Sequence, residues 1–227
     1  MQDFSQHSIR SYGVRRGRIT AGQRHALDHL WAVYGLASSQ ALDSEQIFSR
    51  AAPTYLEIGF GNGESLVQMA QTHPENNYVG IEVYPSGIGH ILLCIAELGL
   101  ATLRVYNADA NFILESRIYD QSLSGINVFF PDPWPKKRHH KRRLVTPAFA
   151  LLCAHKLKPG AALQLATDCE DYAHQMLSVL QNCPLLNNSS AEGSFVSRSQ
   201  QERPTTKFET RALEARRAIR NLRFIRI

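Results

Sequence analysis

Between residues 54 and 180 the hydrophobic pattern of this chain changes period again and again, and that alternation limits its fold more than any other feature. Short apolar runs at 55–58, 78–83, 102–106, 126–130 and 162–166 read as strands. Each is followed by a segment with helical spacing, at 64–71, 86–98, 110–116, 147–157 and 170–180. Strands interrupted by helices pair in parallel through crossovers, so the expected fold is α/β, a mostly parallel sheet with helices on both faces. A helical stretch at 209–220, a closing strand at 222–227 and a short strand at Phe195-Val196 in an otherwise polar loop complete a seven-stranded sheet.

The segment before this pattern is different. Arg10, Arg15, Arg16 and Arg18 make a basic, glycine-containing arm, expected to be mobile in the free protein. Thr20-Ala21-Gly22-Gln23 has the form of a capping box, and Leu27, Leu30, Trp31 and Tyr34 follow at helical spacing, which predicts a helix over 21–34. The expected division is an N-terminal basic arm and helix at 1–46 and a single larger domain at 47–227.

Glu57-Ile58-Gly59-Phe60-Gly61-Asn62-Gly63 joins the first of these strands to its helix. Glycines at such a junction permit a tight turn and let a ligand approach the backbone. A dinucleotide fingerprint wants G-x-G-x-x-G with a pyrophosphate on the helix N-terminus. Here the spacing is G-x-G-x-G, and Glu64 follows, where a carboxylate would repel a pyrophosphate. Glu57 suits a ligand with positive charge, and S-adenosylmethionine carries a sulfonium and an ammonium. Glu82, ending the next strand, can accept from both ribose hydroxyls; Asp109, after the third, lies where an adenine amino group could be read. Three acidic residues at three successive strand ends, on the edge where such sheets bind ligands, point to a Rossmann-like class I methyltransferase core.

After the fourth strand comes Phe130-Pro131-Asp132-Pro133-Trp134-Pro135, then Lys136-Lys137-Arg138-His139-His140-Lys141-Arg142-Arg143, six cations in eight residues. The prolines fix backbone angles and remove donors, so Asp132 is presented on a stiff loop. Trp134 either stacks on an unstacked base or belongs to the core. The cations suit phosphates, although a solvated loop would look the same. A net charge of +5 and a pI near 9.1 are compatible with a polyanionic partner without demanding one. The four cysteines form no C-x-x-C pair, and His139 and His140 have no acidic or thiol neighbours at ligand spacing, so no metal is expected. The polar start lacks the apolar core of a signal peptide, and the longest mostly apolar stretch, 88–101, is too short and polar to span a bilayer. The expected location is cytoplasmic.

Together, residues 57–63, Ile81-Glu82-Val83, Phe130 to Lys137, Thr167-Asp168, Arg203-Pro204-Thr205-Thr206-Lys207-Phe208-Glu209-Thr210-Arg211 and the opening Arg10-Ser11-Tyr12 segment resemble the bacterial tRNA (guanine-N7-)-methyltransferase family. The resemblance implies methyl transfer from S-adenosyl-L-methionine, leaving S-adenosylhomocysteine, to a guanine of the tRNA variable loop (position 46). It implies that Glu57, Gly59, Gly61, Gly63, Glu82 and Asp109 hold the donor, and that Asp132 sits at the catalytic centre, touching both donor and base. It implies that Lys136, Asp168, Thr206, Lys207, Phe208 and Glu209 bind the substrate. Arg138, His139, His140, Lys141, Arg142 and Arg143 would contact the RNA. The implied partner is tRNA, with no membrane and no obligate protein partner, in a monomer or weak homodimer.

Guanine N7 is an in-plane lone pair with no proton to lose, so a direct displacement needs no general base. The common arginine fork to O6 and N7 would block the nucleophile, which leaves the Watson–Crick edge for recognition. Its N1–H and N2–H donors call for a carboxylate from Asp132, Asp168 or Glu209, with the base unstacked to reach it. The Asp-Pro-Trp-Pro piece also resembles the Asp-Pro-Pro-aromatic loop of amino-methyltransferases, so methylation of adenine N6 or of a protein amide is the second reading. A non-catalytic RNA-binding protein on the same fold, and a nicotinamide enzyme, fit the acidic trio and the glycine spacing less well.

Overall fold

The computed structural model describes residues 11–13, 19–198 and 204–227. Arg10, Arg15, Arg16, Arg18 and Arg203 lie outside them. The chain opens with α1 (Ala21–His29), α2 (Trp31–Tyr34), β1 (Gly35–Leu36) and α3 (Ser44–Phe48). Four strand–helix units follow: β2 (Thr54–Ile58) and α4 (Glu64–Thr72), β3 (Asn77–Glu82) and α5 (Pro85–Leu98), β4 (Leu103–Asn107) and α6 (Ala110–Arg117), β5 (Leu123–Phe129) and α7 (Pro147–Lys156). β6 (Leu157–Thr167), α8 (Glu170–Gln181), β7 (Leu186–Asn188), α9 (Lys207–Glu214) and β8 (Arg220–Arg226) complete it.

The strands form one sheet in the order β1-β4-β3-β2-β5-β6-β8-β7. All neighbours from β1 to β6 are parallel, and β8 runs antiparallel to both β6 and β7. The strand count is therefore eight rather than the expected seven. The added edge strands, β1 and β7, have two and three residues, too few to show a period. Val196 contributes an isolated bridge to Asn221 rather than a strand. β3 is buried at every position, as expected of a central parallel strand covered on both faces.

Helices cover both faces. Ile88, Ile91, Leu92 and Ile95 of α5 pack with Leu66 and Ala70 of α4 and with Ala26 of α1 on one side. Ile113, Phe149, Cys153, Tyr172 and Met176, from α6, α7 and α8, fill the other. The predicted capping box is present: Thr20 Oγ1 accepts from the Gln23 amide and Gln23 Oε1 accepts from the Thr20 amide. The helix it starts is interrupted at Leu30, so the expected single helix over 21–34 is two. α1 packs against α5 and β1 pairs with β4, so these elements, which precede residue 47, are built onto the same sheet.

Strand order reverses between β2 and β5. β3 and β4 extend one way from β2, and β6 extends the other from β5. A crevice opens where crossover connections diverge, outside the carboxyl ends of these two strands. Those ends carry Glu57 with the glycine turn, and the Asp132 loop.

Candidate active site

The glycine turn leaves β2 with Gly59, Gly61 and Gly63 at φ 71°, 60° and 82°, left-handed values that cost side-chain-bearing residues strain. Packing adds to this at Gly63, where a Cβ would lie 2.4 Å from Ile91 Cδ1. Gly87, which no sequence motif marks, is equally constrained: a Cβ there would sit 2.1 Å from the Gly61 carbonyl oxygen. Glycines inside a helix such as α5 cost about 1 kcal/mol each against alanine, and that unfavourable choice is the one sequence signal of a close approach.

Glu82 ends β3 and is 5% exposed. Its Oε2 accepts from the Gly61 amide at 2.9 Å, and its Oε1 from the Val83 and Tyr84 amides at 2.6 and 3.0 Å. The carboxylate thus ties the turn to the neighbouring strand and stays aimed at the crevice. Burial pushes its pKa above the ordinary glutamate range; the three backbone donors oppose this, and the nearby Asp132 adds to it. Glu57, at the end of β2, is also buried. Asp109 caps α6, its Oδ1 accepting from the Asn111 and Phe112 amides.

These groups line two adjoining cavities. The larger, about 470 Å³, is lined by Glu82, Asp109, Asp132 and Asp168. The smaller, about 250 Å³, lies over the glycine turn beside Glu57 and Lys207. Gly59, Gly61 and Phe208 border both.

Asp132 is flanked by two residues with left-handed backbone, Phe130 at φ 51° and Trp134 at φ 45°. Such values cost non-glycine residues about 1–3 kcal/mol and cluster at functional sites. A short strap from the start of the chain lies on this loop. The Gly13 amide donates to Asp132 Oδ2 at 3.2 Å, Trp134 Nε1 donates to the Ser11 carbonyl at 2.9 Å, and the Tyr84 hydroxyl donates to the Gly13 carbonyl. Sequence reasoning misses Tyr84 and these strap contacts, because bonds spanning 71, 119 and 123 residues leave no local pattern.

The C-terminal constellation folds back onto the same crevice. Thr206 caps α9, its Oγ1 accepting from the Glu209 amide. Lys207 pairs with Glu64 beside the glycine turn. Phe208 stacks on Phe130, with ring centres 6.3 Å apart. Glu209 is buried, and its Oε1 accepts from Arg198 Nε at 2.9 Å. Asp168 is paired with Arg217 at 2.9 Å.

The basic run does not act as one unit. Lys137–Arg142 form a short 3-10 helix after Lys136. Lys136, Arg138, Lys141 and Arg142 are exposed, and Arg142 lies over the Trp134 ring at 4.9 Å. His139 meets the same ring edge-on. Desolvation, then the cations Arg138, Arg142, Lys136 and Lys141, push its pKa below the ordinary histidine range. His140 faces Asp171 at 3.7 Å. Arg143, expected among the RNA contacts, is instead buried at 3% exposure. Its Nε donates to the Pro133 carbonyl at 3.0 Å, its Nη1 to Gln175 Oε1 at 2.6 Å and its Nη2 to Asp171 Oδ2 at 2.5 Å. A guanidinium engaged this fully inside the fold cannot reach a phosphate.

Residues 51–222 match the model of a methyltransferase family described as "Putative methyltransferase". The tRNA (guanine-N(7)-)-methyltransferase of Alkalilimnicola ehrlichii is 52% identical over 208 residues, covering 90% of this chain and 87% of the relative. The enzyme of that name from Methylococcus capsulatus is 52% identical over 203 residues, covering 89% and 87%. The chain belongs to the tRNA (guanine-N7-)-methyltransferase family. Among solved structures, the 16S rRNA methyltransferase KamB superposes with a TM-score of 0.57, over 83% of this chain and 95% of that one. At 17% identity that likeness speaks to the class I methyltransferase fold alone. For a tRNA (guanine-N7-)-methyltransferase family member, the geometry brings Glu57, Gly59, Gly61, Gly63, Glu82, Asp109, Asp132, Asp168 and Phe208 to two touching cavities and leaves Arg143 behind them. Among the described residues no helix is long and apolar enough to cross a membrane, and no cluster of three His, Cys, Asp or Glu could hold a metal.

Proposed function

We propose that this protein transfers a methyl group from S-adenosylmethionine to N7 of a guanine in the tRNA variable loop, position 46. The observation that carries the reading is the larger cavity. It brings a fixed acidic rim, Glu82 and Asp109, together with Asp132, on a stiff loop beside exposed cations.

The residues fit a donor of this chemistry. Glu82 already accepts from three backbone amides, which leaves one lone pair, on Oε2, for a single ribose hydroxyl rather than the expected two. Glu57 and the open glycine turn border the smaller cavity, where the donor's α-ammonium would meet negative charge. When bound, the donor supplies an electrophilic methyl on a sulfonium.

The protein's part is alignment in a preorganised, desolvated site. Asp132 lines the same cavity as Glu82, and its carboxylate would offer acceptors to the N1–H and N2–H of guanine. Asp168 lines the same cavity and is a further acceptor, already holding an arginine; Glu209 is buried against Arg198 and lines neither cavity. Reading guanine by that edge keeps N7 open to the methyl. Lys136, Arg138, Lys141 and Arg142 would meet phosphates, and the division proposed is an N-terminal basic arm and helix at 1–46 followed by a methyltransferase domain at 47–227. No metal has a role in this scheme, and a tRNA substrate implies a cytoplasmic site of action.

The test is incubation with labelled S-adenosylmethionine and unmodified tRNA, followed by nucleoside analysis and mapping of the modified position. Alkali-labile 7-methylguanosine in the variable loop is the expected product. Alkali-stable N6-methyladenosine would favour the amino-methyltransferase reading, and 7-methylguanosine elsewhere would remove the assigned position.

A further inference from the structure

We infer that Arg143 is a positioning residue for the reaction: from behind the site it holds the loop that presents Asp132. The inference rests on the methyltransferase reading above and adds to it a cation that touches neither donor nor RNA.

Backbone donors are scarce in this loop. In Pro131-Asp132-Pro133-Trp134-Pro135 only Asp132 and Trp134 have a backbone N–H. A segment this poor in donors has little with which to hold itself, and its carbonyls must find donors elsewhere. It is also bent against its preferences, with Phe130 and Trp134 both left-handed on either side of Asp132. Backbone in that state persists only where the surroundings over-determine it.

Arg143 supplies the outside hold. Its Nε donates to the Pro133 carbonyl, on the residue directly after Asp132. The rest of the guanidinium is fixed in turn. Gln175 and Asp171, both on α8, take the other two nitrogens, and the ring of Tyr172 lies 4.7 Å beneath it. The Tyr172 hydroxyl accepts from the Val145 amide, two residues past the arginine. A rigid helix on the sheet is thereby connected through one planar fork to the carbonyl behind the reactive carboxylate. Lysine has a single point of charge and cannot reproduce three directed bonds in one plane.

Arg143 and Arg142 are adjacent in sequence and opposite in duty. Arg142 is exposed over the outer face of Trp134, whereas Arg143 grips the backbone from inside.

The experiment measures kcat, KM for tRNA, affinity for S-adenosylhomocysteine and the salt dependence of tRNA binding for Arg143→Lys, Asp171→Asn and Gln175→Ala. In wild type, formation of 7-methylguanosine is the control; its absence would defeat the proposed function and not this inference alone. Given activity, Arg143→Lys is expected to lower kcat about 10- to 100-fold, the scale of a displacement near 1 Å at a reacting group. Affinity for S-adenosylhomocysteine and the tRNA salt slope should stay at wild-type values. Asp171→Asn and Gln175→Ala should lower kcat by smaller factors in the same pattern. A kcat for Arg143→Lys within about twofold of wild type, well short of that scale, overturns the inference. So does a loss confined to KM with a shallower salt slope, which would make Arg143 a phosphate ligand. Should Arg143→Lys fail to fold, the two α8 variants decide: an unchanged kcat in both overturns it.

Discussion

The two carboxylates that line the larger cavity, Glu82 and Asp132, are held by different means. Glu82 is fixed by main chain: the amides of Val83 and Tyr84 beside it and of Gly61, 21 residues earlier, all donate to it. Around Asp132, prolines have removed local donors, and the loop is held by the Gly13 amide, 119 residues away, and by the side chain of Arg143, which is anchored in turn on α8. A carboxylate held by main chain is fixed together with the strand and turn it joins. A loop held by a separate strap and by one side chain has a geometry that answers to several elements.

Removing Asp132 tests this contrast most severely. Asp132→Ala is expected to lower kcat by about 10²–10³-fold, the cost of losing one preorganised electrostatic group in an active site. Affinity for tRNA should change little; equal loss in tRNA binding and turnover would make Asp132 an ordinary binding contact. At the other carboxylate, Glu82→Ala is expected to weaken S-adenosylhomocysteine by about 10- to 100-fold, for one charge-assisted hydrogen bond removed. Titration calorimetry checks this. An unchanged affinity would take Glu82 off the donor site.

Replacing Lys136, Arg138 and Lys141 with glutamine should flatten the log–log salt dependence of tRNA binding by about 0.7–0.9 for each phosphate no longer neutralised. A slope equal to that of wild type would make these residues a solvated surface. The smallest effect is in pH. Burial raises the Glu82 pKa, so the folded state holds that proton more tightly than the unfolded chain. Ionised Glu82 therefore costs stability above its raised pKa, and that cost fades as pH falls through it. Protonation also removes an acceptor from the donor site. Lowering pH from neutrality towards 4.5, the ordinary glutamate value, should shrink the thermal shift produced by S-adenosylhomocysteine while this one contribution to apo stability improves. The shrinkage should start above the ordinary range and be absent in Glu82→Ala.

The same contrast explains how much is legible in the sequence. The alternation of periods locates β2 to β6 and their helices within a few residues, because each is long enough to show its pattern. β1 and β7 are too short, and they join the sheet only because neighbouring edges await a partner. Acid residues at successive strand ends mark Glu82 and Asp109, because the repeated strand–turn–helix pattern fixes where each strand ends. Elsewhere a run of like cations hides its exception. Nothing local in Lys141-Arg142-Arg143 says which one turns inward; the following Leu144-Val145, at the return to buried chain, is the faint indication. Asp168 and Glu209 read as unencumbered acceptors in the sequence, but each has an arginine from another segment.

The strap of Ser11, Tyr12 and Gly13 has a practical corollary. Its peptide groups touch Asp132, Trp134 and Tyr84. A purification handle fused upstream is thus close in the chain to the atoms that govern turnover. Comparing tagged and untagged preparations probes the reactive centre itself, and a handle placed after residue 227 is the safer choice for kinetics.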